Sequence, residues 1–301
     1  MKNFAIITDS CSDLDKAHRE AYDIDYAPMG INYEDKEGNI IDLPADLDWK
    51  DLSVKEFYDL MRNGTRIRTS QVQHDTFKEK FEEYLKKDYD IIYLSCSGAL
   101  SASIKASQVV REELLKDYPD AKIYCIDSLN SCAGLGLLCM NASALRKEGK
   151  TIEEVAAFLE ENKLKMNQFA TVEDMTYLKR AGRISAMKAA FGGLLGVKPV
   201  IISDALGQNT ATEKPKGRKN SIRRLAQLMA ETYVKMGIDK LFVLHADNPE
   251  DGQMLVDEVK ALIPDADVDF GYIGPIIGAT TGPGTLAVYG WGKEVTYAAH
   301  E

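Results

Sequence analysis

Short apolar runs alternate along this chain with longer stretches of helical spacing. Phe4-Ala5-Ile6-Ile7 reads as a buried strand ending in the hydroxyl-rich turn Thr8-Asp9-Ser10-Cys11-Ser12-Asp13. After one helix, Ile24 to Ile31 is extended, and the polar turn Glu34 to Asn39 leads into Ile40-Ile41 as a hairpin. Ser53 and Glu56 have capping-box spacing for a helix that carries Phe57 and Leu60 and closes at Asn63-Gly64. Phe77, Phe81, Tyr84 and Leu85 give the next helix one apolar face. Asp90 to Leu94 is again strand. It collapses into Ser95-Cys96-Ser97-Gly98-Ala99-Leu100-Ser101-Ala102-Ser103, after which helical spacing runs from Ile104 to Leu115. Ala121 to Ile126 is a further strand, ending at Asp127-Ser128, and a helix rich in small residues follows over Ala133 to Leu145. Thr151 with Glu154 caps another helix through Leu164. Strands that each feed a helix predict a parallel sheet with helices on both faces, in a first unit spanning 1–165.

The second unit, 166–301, has a different texture. Phe169 to Val172 is a strand, Met175 to Ser185 a short helix with a glycine turn, Met187 to Leu195 an amphipathic stretch, and Lys198 to Ile202 a strand. Strand patterns recur at Phe242 to His245, Val268 to Tyr272 and Leu286 to Tyr289, separated by helices over Asn220 to Met236 and Asp251 to Leu262. Gly271 to Thr285 holds five glycines and two Gly-Pro pairs, which reads as turns. It satisfies neither the P-loop nor the dinucleotide pattern.

Composition narrows the function. The 301 residues are 45% apolar, enough for real cores in about two domains. No apolar run of ~18 residues exists, so no membrane span is expected; with no leader pattern at the start, the protein is expected in the cytoplasm. A net charge of −10 argues against nucleic acid, and the basic segment Lys214 to Lys219 reads as a solvated face. Five cysteines without a C-x-x-C pair read as buried thiols of a reducing compartment. Four histidines scattered singly give no metal-ligand spacing, so no metal and no cofactor are expected.

What remains is hydroxyl chemistry. Ser97, Ser101 and Ser103 stand where a strand feeds a helix, the place where α/β sheets collect anionic ligands; each also suits an N-cap. Thr65-Arg66-Ile67-Arg68-Thr69-Ser70-Gln71 either lines the same site or is an ordinary connection. Asp9 reads as a loop-holding carboxylate. A serine hydrolase or a phosphotransferase at this serine-rich site is the competing class, but Ser101 lacks the Gly-x-Ser-x-Gly frame and an evident histidine.

Thr8-Asp9-Ser10, Thr69-Ser70-Gln71, Ser97 with Leu100-Ser101, Asp127-Ser128, Tyr177 to Ser185, Lys198-Pro199 and Gly282-Pro283-Gly284 occur in this order. The ordered set resembles the DegV family of bacterial fatty-acid-binding proteins over nearly the whole chain. The resemblance implies a Rossmann-like α/β domain followed by an α/β domain with a mostly antiparallel sheet. It also implies a non-enzymatic protein that buries one long-chain fatty acid and offers its carboxylate to a fatty acid kinase for acyl-phosphate formation. On that basis the ligand-binding residues are Thr69, Ser70, Ser97, Ser101, Ser128, Thr280 and Thr281, and Arg183 docks the kinase. Three departures stand out. Thr280 replaces a family histidine, Leu100-Ser101-Ala102-Ser103 replaces Leu-Ser-Gly-Thr, and Val72 replaces a proline.

Overall fold

The computed structural model describes residues 2–184 and 197–299, so the amphipathic stretch Met187 to Leu195 lies outside the described residues. The described residues build three sheets. In the first half the elements are β1 (Phe4–Asp9), α1 (Lys16–Tyr22), β2 (Ile24–Ala27), β3 (Gly30–Glu34), β4 (Ile40–Pro44), α2 (Val54–Arg62), β5 (Arg68–Ser70), α3 (His74–Leu85), β6 (Asp90–Ser95), α4 (Ser103–Asp117), β7 (Ile123–Asp127), α5 (Cys132–Lys147) and α6 (Ile152–Asn162). Strands β2-β1-β6-β7 form the predicted parallel sheet. β1 and β6 sit in its centre with every residue buried, which is why both read as unbroken apolar runs. The chain steps outward from β1 to β2 and returns to the other side at β6, so the strand order reverses between β1 and β6. The hairpin β3–β4 forms with Glu34 opposite Ile40, and the hydroxylated segment joins it as β5, with Thr69 opposite Ile31. Ser70 faces Gly30, where a Cβ would lie 2.4 Å from Ser70 Oγ, so the glycine leaves room for that hydroxyl in its present position.

The second half contributes β8 (Met166–Thr171), α7 (Met175–Ala181), β9 (Val200–Ser203), β10 (Asn209–Glu213), α8 (Arg218–Thr232), β11 (Lys240–His245), α9 (Pro249–Leu262), β12 (Asp267–Tyr272), α10 (Pro275–Thr281) and β13 (Leu286–Trp291). Its six strands run β10-β9-β8-β13-β11-β12, and every pairing is antiparallel except β11 with β12. Period-two alternation gives this sheet two apolar faces. Phe169, Leu286 and Val288 pack under Leu225, Met229, Leu255 and Val259 of α8 and α9. Ala170, Ala287, Tyr289 and Trp291 face the other way and belong to the larger core that also holds Leu135, Leu138 and the parallel sheet.

Two elements differ from the sequence expectation. β10 has the polar sequence Asn-Thr-Ala-Thr-Glu, which carries no apolar alternation, yet it pairs with β9 across a register shift between Ala211 and Glu213. The stretch expected to be turns contains α10, with Pro275 in its first turn, where a missing N–H costs nothing.

Candidate functional site

The crevice outside the carboxyl ends of β1 and β6, at the reversal of strand order, is where an open α/β sheet offers a site. Asp9 shapes it. Its Oδ1 accepts from the Cys11 N–H, and its Oδ2 from the Cys96 N–H and the Tyr93 hydroxyl, all at 2.9 Å. Complete burial raises the Asp9 pKa, and these donors work against that rise. Asp9 therefore holds two loops together and is committed to that task.

Over this edge lies a cavity with about 960 Å³ of empty volume, part of it open to solvent. Its apolar wall comes from Ala170, Val172, Ile201 and Ala287 of the antiparallel sheet region and from Ile273, Ile276 and Ile277 around α10. The Tyr58 hydroxyl on α2 fixes the start of that helix by donating to the Ile273 carbonyl at 2.8 Å.

The cavity brings together Thr69, Ser70, Ser101, Thr280 and Thr281, from β5, from the turn before α4 and from α10. Ser101 Oγ lies 3.0 Å from Ser103 Oγ and accepts from the Ser103 N–H at 3.2 Å. Thr280 and Thr281 stand on a helix and not on the expected loop, and their hydroxyls donate to the Ile276 and Ile277 carbonyls at 3.0 and 2.9 Å. Toward a ligand they present lone pairs before they present protons.

Ser97 and Ser128, expected to bind ligand, are fully buried and do not line the cavity. Their hydroxyls are already engaged. The Ser97 hydroxyl donates to the Gly207 carbonyl at 2.8 Å, far away in sequence, and that of Ser128 to the Asn130 carbonyl at 3.0 Å within its own turn.

A second hollow, with about 870 Å³ of empty volume, adjoins the first and shares Thr69, Arg183 and Thr280 with it. Arg66, Arg68, Arg180 and Arg183 line this mouth, and none of the four makes an ion pair among the described residues. Arg183 reaches the Leu100 carbonyl through Nε at 3.3 Å, so it touches the loop that carries Ser101.

Histidine chemistry lies elsewhere. His18 bonds Asp15 and Asp269, His74 bonds Asp75 and Glu113, and His245 accepts from the Asn248 N–H. Burial pushes the His245 pKa down to about 4 and keeps that ring neutral. No group of three or more His, Cys, Asp or Glu side chains suited to a metal occurs among the described residues. No helix among them is long and apolar enough to cross a membrane.

Sequence reasoning missed part of the lining: Cys11, Met29 and Cys96 on one wall, and Gln168 with Asn209 on another. Gln168 Nε2 donates to Asn209 Oδ1 at 3.2 Å, and Gln168 Oε1 has no partner. A buried glutamine inside a strand pattern was the available signal for that pair. The three sulfur residues gave none, because Cys and Met are ordinary core residues.

Comparison with known proteins agrees with this architecture. Residues 3–291 match the family model described as "Uncharacterised protein, DegV family". A DegV domain-containing protein of Clostridium perfringens is 40% identical over 96% of this chain and 97% of its own length. The crystal structure of DegV, a fatty acid binding protein from Bacillus subtilis, aligns with a TM-score of 0.81 at 27% identity, covering 97% of this chain and 100% of that one. A Thermotoga maritima protein described as revealing fatty acid binding function aligns with a TM-score of 0.78 at 25% identity, covering 97% and 100%. With a family model spanning almost the entire length and a relative at this identity, the chain belongs to the DegV family.

Proposed function

We propose that this protein binds one long-chain fatty acid in the cavity between its halves, 1–165 and 166–301, and presents the carboxylate at the mouth to a fatty acid kinase for acyl-phosphate formation. The observation that carries this reading is a cavity with an apolar wall, hydroxyls in its lining and, at the adjoining mouth, arginines that make no ion pair among the described residues. Its relatives from Bacillus subtilis and Thermotoga maritima, described as fatty acid binding, support it. Burying about 14 methylenes at ~0.8 kcal/mol each gains roughly 11 kcal/mol before ordering costs are subtracted. Thr69 and Ser101 orient the head group, since a hydrogen bond to an ionised acceptor contributes about 1.5–3 kcal/mol without burying a counter-charge. Arg183, with Arg66, Arg68 and Arg180 beside it, gives the mouth a positive field that favours an anionic head group and steers an acidic partner surface.

The test is mass spectrometry of an organic extract of the protein purified from a bacterial host, paired with thermal shift on adding palmitate or oleate. A near-stoichiometric acyl chain and a rise in Tm are expected. An extract without acyl chains together with an unchanged Tm would falsify the proposal.

A further inference from the structure

Three sulfur atoms meet on one wall of the cavity. Cys11 lies just past the carboxyl end of β1, Cys96 just past that of β6, and Met29 between β2 and β3. Cys11 Sγ is 3.4 Å from Met29 Sδ, and Cys96 lines the same cavity with its N–H held by the Asp9 carboxylate that also holds the N–H of Cys11, both at 2.9 Å. The three side chains are only 2–5% exposed, yet all face the cavity, so the cavity supplies an approach that the outer surface does not. This is also the reversal of strand order, the crevice that open α/β sheets use for ligands.

We propose that Cys11, Cys96 and Met29 form a site for one soft monovalent metal ion, Cu(I), reached through the cavity. Two thiolates and a thioether select Cu(I) over harder cations. No further His, Cys, Asp or Glu completes a larger ligand group among the described residues, so the four-coordinate shell of zinc is not available. Three sulfurs about 2.3 Å from a central ion stand roughly 4 Å apart in a trigonal plane. The 3.4 Å contact therefore opens by about half an ångström, which side-chain rotation supplies. Asp9 orients the ligand peptides from outside the coordination shell. Loading releases both thiol protons to solvent and forms two copper–thiolate bonds and one copper–thioether bond, leaving one net negative charge and transferring no electrons. The ligands are sulfurs and not the scattered histidines whose spacing excludes a metal, and the site stands whether or not the cavity holds a fatty acid.

The test is an anaerobic titration of the full, reduced protein with Cu(I) in competition with bicinchoninate, together with X-ray absorption of the loaded wild type. One Cu(I) per chain withdrawn from the chelator is expected, with only sulfur scatterers near about 2.3 Å. Cys11→Ser or Cys96→Ser should weaken binding by about a hundredfold and Met29→Leu by about tenfold, because each removes a soft donor. Cys125→Ser and Cys139→Ser should leave it unchanged. No withdrawal of Cu(I), equal uptake by the Cys11→Ser/Cys96→Ser double variant, or a nitrogen and oxygen shell would overturn the proposal. The absorption measurement uses the wild type alone, so it stays decisive if a serine variant fails to fold.

Discussion

Asp13 offers a quantitative test of how the two halves are held together. Its carboxyl group, with Oδ1 shielded from solvent, lies between the first turn of α5, where the Cys132 thiol donates to Oδ2 at 2.8 Å, and the start of α10, where a Cβ on Gly274 would lie 2.1 Å from Oδ1. Burial raises its pKa from 3.8 to about 7; the Cys132 thiol and the Gly274 N–H oppose the rise, and Asp9 adds to it. In the unfolded chain the same group titrates near 3.9. Between those two values the native state keeps a proton that the unfolded state has released, so stability falls as pH rises from about 4 to 7 and does not recover above that range. Three pKa units at about 1.4 kcal/mol each make a penalty of about 4 kcal/mol at pH 8. Asp13→Asn keeps an acceptor for the thiol, tolerates the φ of 50° and has no proton to lose. Its stability relative to wild type should improve by about 3 kcal/mol between pH 5 and pH 8, since only the wild type pays for two further pH units of deprotonation. Urea unfolding of both proteins at the two pH values measures this directly. A difference that stays constant within about 0.5 kcal/mol would refute the argument and mean that Asp13 is ionised or solvated in the native state.

Ser101→Ala and Thr69→Val should each weaken oleate binding by about 1.5–3 kcal/mol, measured by displacement of a fluorescent fatty acid; losses under about twofold for both would take the head group away from this rim. Arg183→Ala should leave fatty-acid affinity within a factor of a few while lowering acyl-phosphate formation with the cognate kinase, and a collapse of lipid binding would instead make Arg183 a head-group ligand. His18 bridges the halves through Asp269 and also bonds Asp15, and both contacts raise its pKa. A group with a raised folded pKa stabilises fully below its unfolded value near 6.5 and loses that contribution as pH rises through the folded value, so His18→Gln should cost more stability at pH 6 than at pH 9; the same cost at both would sink the idea that a charged clasp acts here.

The parallel sheet was legible because its central strands are buried on both faces and read as continuous apolar runs, and the capping boxes at Ser53 and Thr151 form as their spacing predicts. Serine density was a poorer guide. Of the serines it singled out, Ser101 lines the cavity, but Ser97 and Ser128 spend their hydroxyls on carbonyls of tight turns, and nothing local in the sequence separates such a serine from Ser101. The glycines between Gly271 and Gly284 hid a helix face. Ile276, Ile277, Thr280 and Thr281 share one side of α10, and they line the cavity together with Ile273 just before the helix.

The cavity itself is a consequence of small side chains set opposite one another, and that pairing is invisible to periodicity. Ala170 on β8 lies directly across from Ala287 on β13, so two neighbouring strands present methyl groups to the core face where the adjoining Tyr289 presents a ring. A period-two pattern says that these positions point inward; it says nothing about which strand stands beside which, because the partners are more than 100 residues apart. Once the register sets alanine beside alanine, the elements above cannot collapse into the gap. β5 is held by its ladder to β3, and α10 is pinned by the Tyr58 hydroxyl. Packed cores leave few voids wider than a water molecule. A hollow of this size, with isoleucines in its wall and hydroxyls in its lining, is therefore kept open by the surrounding hydrogen bonds, and that is the physical requirement for a preformed ligand cavity.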